Sequence, residues 1–380
     1  MKAFENALVY LDGEGIKKCD LAFGETIQGM GKLHGEEVIP LPEGAIVLPG
    51  FIDEHVHGAG GSDAMDGSSE ALSTIAATLA EEGTTGFLAT TMTQSPENIT
   101  AALSAVRDFH KHQGDKGARL LGAHLEGPFI AAAHKGAQPL EYVAKPSVSQ
   151  FDKYNAACGN LIKIVTLAPE EEGAEELVTH LSGLGIVPSI GHTGAKFKDI
   201  ERAIKCGAKH ITHTYNAQSP LHHREIGTVG SALLLDELSC ELICDTIHVS
   251  VPAMKLLVKC KNKDKLILIT DAIRAKGLSD GVSELGGQTV YVKNGEARLA
   301  DGTLAGSVLR MNRAVQNLVE KVGVSLTDAV DCASKNPAKS LGIFNETGSI
   351  AKGKRADFAV LSPAFDVIMT VRGGLIVYKR

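Results

Sequence analysis

Residues 50–60 read GFIDEHVHGAG: an apolar entry, two histidines one residue apart, then closely spaced glycines. On a β-strand, residues i and i+2 point to the same face. His55 and His57 then aim two imidazoles at one point. Gly58, Gly60 and Gly61 let the chain turn away sharply just beyond them. Two neutral imidazoles converging at a strand end suit a divalent transition metal. A surface pair beside a loose loop is the plainer alternative, and the rest of the chain decides between them.

Upstream, residues 1–48 carry short apolar runs broken by Gly and Pro, as in NALVYLDGEG and CDLAFGETI, and read as strands with turns. Downstream the texture changes. SSEALSTIAATLAEEG (68–83) has helical periodicity, with Ser68 or Ser69 as cap, and TTGFLATT (84–91) follows as a buried strand. SPENITAALSAVRDFHKHQG (95–114) begins on a Ser-Pro-Glu helix signal and ends at Gly114. This alternation recurs about eight times up to residue 345, which argues for parallel βα units. The number of units and their length fit a (β/α)₈ barrel, for which ~250 residues is typical. A doubly wound sheet is the alternative. The tail TGSIAKGKRADFAVLSPAFDVIMTVRGGLIVYKR is strand-rich again. The expected α/β architecture is therefore a barrel over 49–345 with a small β-sandwich domain assembled from 1–48 and 346–380.

Catalytic groups of barrels sit at the C-terminal ends of strands. RLLGAHLEG ends in Glu126, IVPSIGHT in His192, and KHITHTYNA in His213 followed by Asn216. CELICDTIH ends in Asp245 and His248, and LILITDAI in Asp271. With His55 and His57 these converge on one mouth. Asp271 closes an apolar run, where a carboxylate is costly unless it meets a cation or a donor. Nitrogen and carboxylate ligands without thiolates suit Zn²⁺ or Fe²⁺. His124 shares a strand face with Glu126 and reads as a supporting residue. His210 lies off that face, and His34, His110, His112 and His180 fall in loops or on helical surfaces.

The 380 residues are 44% hydrophobic, enough for a large core, with a net charge of −7 and no basic cluster, which argues against nucleic-acid binding. The seven cysteines show no CxxC pair and read as reduced thiols. The start MKAFENALVY has no signal-peptide core, and no uncharged run is long and apolar enough to cross a bilayer. A cytoplasmic protein without membrane association is expected.

The ordered set HVH, HLEGPF, GHT, HTYNA and TDA resembles the amidohydrolase superfamily, and within it the N-acetylglucosamine-6-phosphate deacetylase branch. HLEGPF with TDAIRAKG is specific to that branch; HxH marks only the superfamily. The likeness extends to the late stretches LAGS, NPA and GSIAKGKRADFAVL. It implies metal-dependent hydrolysis of a sugar-phosphate N-acetyl group to glucosamine 6-phosphate and acetate, in amino-sugar catabolism and cell-wall sugar recycling. It assigns Glu126, His192 and His213 to one metal, His55 and His57 to a second near Glu126, and Asp271 to the catalytic acid/base and the metal centre. His248 and Arg224 match residues that hold the substrate and its phosphate. Asn216 and Ala217 match a loop at the phosphate end. Gln138 stands where some relatives have histidine, and is a weak candidate substrate contact; His134 is unassigned. Relatives lacking HxH hold one metal, so this chain is expected to take one or two Zn or Fe ions. The resemblance also implies a homodimer. A related hydrolase of other N-acyl or cyclic amides, with no use for Arg224, is one rival reading. A non-catalytic scaffold is another, at odds with the complete ligand set.

Overall fold

The computed structural model describes residues 1–31, 35 and 37–380, so His34 lies outside the described residues. Eight parallel strands form the central sheet: β1 (Phe51–Val56), β2 (Thr84–Thr91), β3 (Arg119–Glu126), β4 (Ile162–Leu167), β5 (Val187–Ile190), β6 (His210–Ile211), β7 (Ser239–Ile243) and β8 (Leu266–Ile269). They pair in sequence order. The ends meet through a parallel bridge between Val56 and Ala272. There the Asp271 N–H donates to the His55 carbonyl at 2.8 Å and the His57 N–H to the Ala272 carbonyl at 2.9 Å. That seam makes a barrel and removes the doubly wound alternative. β1, β2 and β8 are buried along their whole length, as strands covered on both faces must be.

The helix starts follow local chemistry. Ser68 caps Ser69–Ala80 by accepting the Ala71 N–H at 3.1 Å. Ser95 caps Pro96–His112 by accepting the Asn98 N–H at 3.2 Å. That helix stops before Gly114 because Gln113 leaves helical geometry, and its side-chain amide pairs with both the N–H and C=O of Leu120. β6 is far shorter than the run KHITHTYNA suggests. His213, Tyr215 and Ala217 take φ of 29°, 84° and 49°, so the chain coils at the barrel mouth instead of extending.

Past β8 the chain forms an antiparallel sheet of Gly281–Leu285, Gln288–Lys293 and Glu296–Arg298, which the sequence reading passed over. Its inner face, Leu285, Val290, Val292 and Ala297, packs on Met92, Ile273, Ala275 and Ala305 beside the mouth. The two chain ends share one further sheet, in the order 375–379, 367–372, 358–361, 46–49, 2–11, 15–23, 27–31, with 37–38 also paired to 2–11. Phe23 and Phe358 are separated by two strands in that order, yet their ring centroids lie 5.2 Å apart. The sheet therefore curls over itself around Phe4, Phe23 and Phe358, like a small sandwich. Among the described residues no helix is long and apolar enough to cross a membrane.

A buried charge network braces the barrel seam. Lys276 is wholly buried and paired with Glu82, whose other oxygen accepts the Met311 N–H at 2.9 Å. Asp53 of β1 accepts from Thr270, beyond the end of β8. Burial pushes the carboxyls of Asp53 and Glu82 upward, and Lys276 opposes it. Removing one partner of a buried pair costs about 3–5 kcal/mol, because the other charge is stranded. Lys276→Met should therefore shift the denaturant midpoint strongly downward. Lys276→Met with Glu82→Gln should recover part of the loss, and equal midpoints for the single and double variants would contradict this account.

Candidate metal centre and active site

Six side chains from five strands meet at the barrel mouth. Glu126, at the tip of β3, sits between two histidine pairs. Its Oε1 lies 3.3 Å from His192 Nε2 and 3.1 Å from His213 Nε2, and its Oε2 lies 3.2 Å from His57 Nε2. His55 Nε2 lies 3.5 Å from Glu126 and 3.5 Å from Asp271 Oδ1, which is itself 3.2 Å from His57 Nε2. The ligand atoms fall into two buried triads, Glu126/His192/His213 and His55/His57/Asp271.

The far side of each ring shows how it is held. His57 Nδ1 faces the Thr90 carbonyl at 3.2 Å, and His192 Nδ1 faces the His134 carbonyl at 2.9 Å. A carbonyl only accepts, so both Nδ1 atoms carry the proton, and in the neutral rings both Nε2 lone pairs point inward. His55 Nδ1 lies 2.9 Å from Glu241 Oε2. His55 Nε2 is buried without a hydrogen-bond partner, and His192 Nε2 faces His213 Nε2 at 3.1 Å. Inward lone pairs packed among carboxylate oxygens repel unless positive charge lies between them. The donor set, nitrogen and carboxylate oxygen with no thiolate, fits a divalent cation in each triad.

The electrostatics agree. Burial opposes charge on Glu126, yet His55 and the close approach of His192, His213 and His57 hold its carboxyl well below the usual range. Burial likewise opposes charge on Asp271, but His55 and His57 hold it down at about 2. Burial also disfavours protonated His55 and His57; the surrounding carboxylates prevail, taking His55 to about 9 and His57 well above its ordinary value. Those protons occupy the place of a cation, so ion uptake near neutral pH releases them. The backbone is strained at the same positions: His192 and Asp271 take φ of 48°, and His213 takes 29°. Non-glycine residues in this region cost about 1–3 kcal/mol each and cluster at functional sites. The glycines after HVH play the turning part expected of them. Gly60 and Gly61 take φ of 62° and 90°, and a Cβ on Gly58 would lie 2.4 Å from the Ser62 carbonyl.

Above the ligands opens a cavity of about 330 Å³, bounded by His57, Glu126, His192, His213 and Asp271 at its base. His134, Gln138, Asn216, Ala217 and His248 form part of its wall. Asp245 holds His248: its Oδ2 lies 2.6 Å from His248 Nδ1 and its Oδ1 accepts the backbone N–H of Ile247 and His248. Gln138 donates to Glu126 Oε2 at 2.8 Å and accepts the Thr93 N–H at 2.7 Å. Arg224 stands apart from the cavity lining. It is exposed in the turn where His222 and Glu225 bridge, with its guanidinium on His223 Nε2 at 2.8 Å.

The sequence pattern of the amidohydrolase family matches residues 46–377. The chain belongs to this family. It is 48% identical over 342 residues to the N-acetylglucosamine-6-phosphate deacetylase of Bacillus subtilis strain 168, spanning 90% of this chain and 86% of that one. It is 38% identical over 341 residues to an N-acetylgalactosamine-6-phosphate deacetylase of Escherichia coli O157:H7, spanning 89% and 90%. The crystal structure of N-acetylglucosamine-6-phosphate deacetylase from Thermotoga maritima superposes with a TM-score of 0.91 at 37% identity, over the whole of both chains. A Mycobacterium smegmatis enzyme of that name, a mutant solved with N-acetyl-D-glucosamine-6-phosphate, gives 0.93 at 28% identity, over 100% of this chain and 99% of that one. Membership of the amidohydrolase family implies a divalent metal, and the two triads are groups that could hold one.

Several parts of this amidohydrolase site escaped the sequence reading. Glu241 lies mid-strand in β7, although a lone carboxylate in the apolar run CELIC carries the same desolvation signal that singled out Asp271. The His134 and Thr90 carbonyls leave no side-chain signature at all. Leu285, Thr303, Leu304 and Gly306 close the cavity from the added sheet and the segment after it. His124 and His210 lie beneath the ligands. His124 Nε2 meets Thr166 Oγ1 at 2.7 Å, and His210 meets Ser189 Oγ at 2.8 Å and Glu54 Oε1 at 2.9 Å.

Proposed function

We propose that this chain hydrolyses N-acetyl-D-glucosamine 6-phosphate to D-glucosamine 6-phosphate and acetate, within amino-sugar catabolism and cell-wall sugar recycling in the cytoplasm. The supporting observation is a carboxylate, Asp271, that touches both histidines of one triad and shares the cavity base with the other. Divalent ions, Zn²⁺ or Fe²⁺, held by Glu126/His192/His213 and by His55/His57/Asp271 would lower the pKa of a water towards ~7 and polarise the acetyl carbonyl. Asp271 takes the proton of the attacking water. It then returns a proton to the sugar nitrogen, because an amine cannot leave as an anion. His248, braced by Asp245, presents its other nitrogen to the substrate, and Asn216 and Ala217 line the phosphate end. Gln138 acts mainly on Glu126, with substrate contact secondary. We assign the barrel to 49–345 and the small domain to 1–48 with 346–380.

Acetate release from the phosphorylated sugar, its unphosphorylated counterpart and the galactosamine epimer tests this reading. Strong preference for N-acetyl-D-glucosamine 6-phosphate is expected; equal rates with and without the phosphate would refute it. Arg224 serves the phosphate from an exposed turn, reaching the cavity of the second subunit of a homodimer. Arg224→Ala should lower the phosphorylated-to-unphosphorylated ratio of kcat/KM by roughly ten- to a hundredfold, the equivalent of about 1.5–3 kcal/mol for a charge-assisted contact. An unchanged ratio, or a monomer in light scattering, removes it from that role.

Chelation should abolish turnover, and added Zn²⁺ or Fe²⁺ should restore it. The change His55→Gln with His57→Asn should reduce bound metal to about one ion per chain and leave partial activity, since a three-ligand site can still activate water. Metal content and rate equal to wild type would make the HVH pair structural.

A further inference from the structure

β7 contributes no ligand to either triad, yet Glu241 in its middle reaches both. The side chain is wholly buried inside the barrel. Its Oε2 lies 2.9 Å from His55 Nδ1 and 2.9 Å from the backbone nitrogen of His213. Its main-chain carbonyl accepts the Thr214 N–H, also at 2.9 Å. A backbone N–H only donates, so Oε2 is an acceptor. A His55 that ligates through Nε2 must carry its proton on Nδ1, and that proton meets the same oxygen. His213 needs outside support more than the other ligands do. Its φ is 29°, a strained value, and its own Nδ1 has no hydrogen-bond partner, so on its far side the ring is held only through the backbone. Two bonds from Glu241 fix that backbone, at residues 213 and 214.

We propose that Glu241 is a positioning residue common to both metal sites: one carboxylate oxygen sets the tautomer of His55 in one triad and the pose of His213 in the other. This rests on the two-metal reading above. Glu241 belongs to neither of these two triads and is absent from the cavity lining. Its neighbours there are also locked. His124 lies against His55, with ring centroids 4.6 Å apart, and is pinned between the Glu54 carbonyl and Thr166.

The test loads Co²⁺ or Zn²⁺ into wild type, Glu241→Gln and Glu241→Asp. It measures ions per chain, release into graded chelator, and the visible Co²⁺ spectrum. Glu241→Gln keeps the shape and loses the charge; Glu241→Asp keeps the charge and loses the reach. Loss of an outer partner of a metal-bound histidine weakens affinity roughly 10- to 100-fold. Both variants should release both ions more readily by about that factor, with altered Co²⁺ bands, a lower kcat and a nearly unchanged KM. In the His55→Gln, His57→Asn background, Glu241→Gln should still loosen the remaining ion, through His213. If wild type holds two ions and both variants hold them equally well, with only the melting temperature lowered, Glu241 is merely structural and the proposal falls while the two-metal reading stands. If wild type never takes up a second ion, that reading falls and the coupling with it. Should Glu241→Gln fail to fold, Glu241→Asp reads the same quantities.

Discussion

Asp271→Asn should lower kcat by about 10²–10⁴-fold, the range for general acid–base help, while leaving KM within a few-fold of wild type. The reason is specific to the proton. An asparagine amide matches the carboxylate in shape and can still hydrogen-bond, but it cannot accept a proton from water or return one to nitrogen. The backbone of residue 271 is held independently of its side chain: its N–H donates to the His55 carbonyl at 2.8 Å and its carbonyl accepts the Ser307 N–H at 2.8 Å. The strained φ of 48° also suits asparagine better than most residues. The variant should therefore fold and bind substrate. Because Asp271 Oδ1 also lies 3.2 Å from His57, elemental analysis must accompany the kinetics, and ion content near wild type would assign the loss to proton transfer. A variant within a few-fold of wild type would remove Asp271 from the chemistry.

The barrel was legible because its physics is periodic. Apolar strands alternate with capped helices, and chemistry-bearing residues stand where each strand ends, so Glu126, His192, His213 and Asp271 could be named before their positions were known. What stayed hidden belongs to other classes of signal. The histidines are oriented by main-chain carbonyls at Thr90 and His134, and a carbonyl has no letter in a sequence. Glu241 was readable by the desolvation argument applied to Asp271, but it lies in mid-strand, where attention to strand ends does not fall. The sheet of 281–298 carries hairpin signals, GG at 286–287 and NG at 294–295, and alternates along Gln288–Lys293. A search for βα units passes over it, because it interrupts the repeat. KHITHTYNA read as one strand since its β-branched residues favour extension; the His213 N–H given to Glu241 and the local bonds of Gln218 to Tyr215 and Thr212 hold the coil instead. Arg224 shows the limit of a motif: the chain keeps the residue, yet within the chain it stands exposed and apart from the cavity lining.

Glu126→Gln should remove one ion selectively and silence the enzyme. Glu126 belongs to one triad and touches the other, with Oε1 on His192 and His213 and Oε2 towards His57. An amide keeps one ligating oxygen and replaces the other with an NH₂ group that has no lone pair for a metal. The choice of end is not free. Gln138 donates its Nε2–H to Oε2, and its own Oε1 is committed to the Thr93 N–H, so Gln138 is locked with a donor facing Glu126. Two facing NH₂ groups would leave a buried donor unsatisfied, at a cost of about 1–3 kcal/mol. The variant therefore turns its oxygen towards Gln138 and His57 and its nitrogen towards His192 and His213. The ion held by His192 and His213 is lost, and the one held by His55 and His57 is retained in part. Activity should fall by about 10³-fold or more, since both the cation and the anionic ligand that fixes it are gone. This is the opposite metal phenotype to His55→Gln with His57→Asn, and Co²⁺ spectra of the two variants should together account for the wild-type spectrum. Relieving the lock with Gln138→Leu in the Glu126→Gln background should let the amide turn either way and spread the loss over both sites. Identical ion content and identical spectra for Glu126→Gln and the HVH double variant would show that Gln138 does not set the orientation of residue 126.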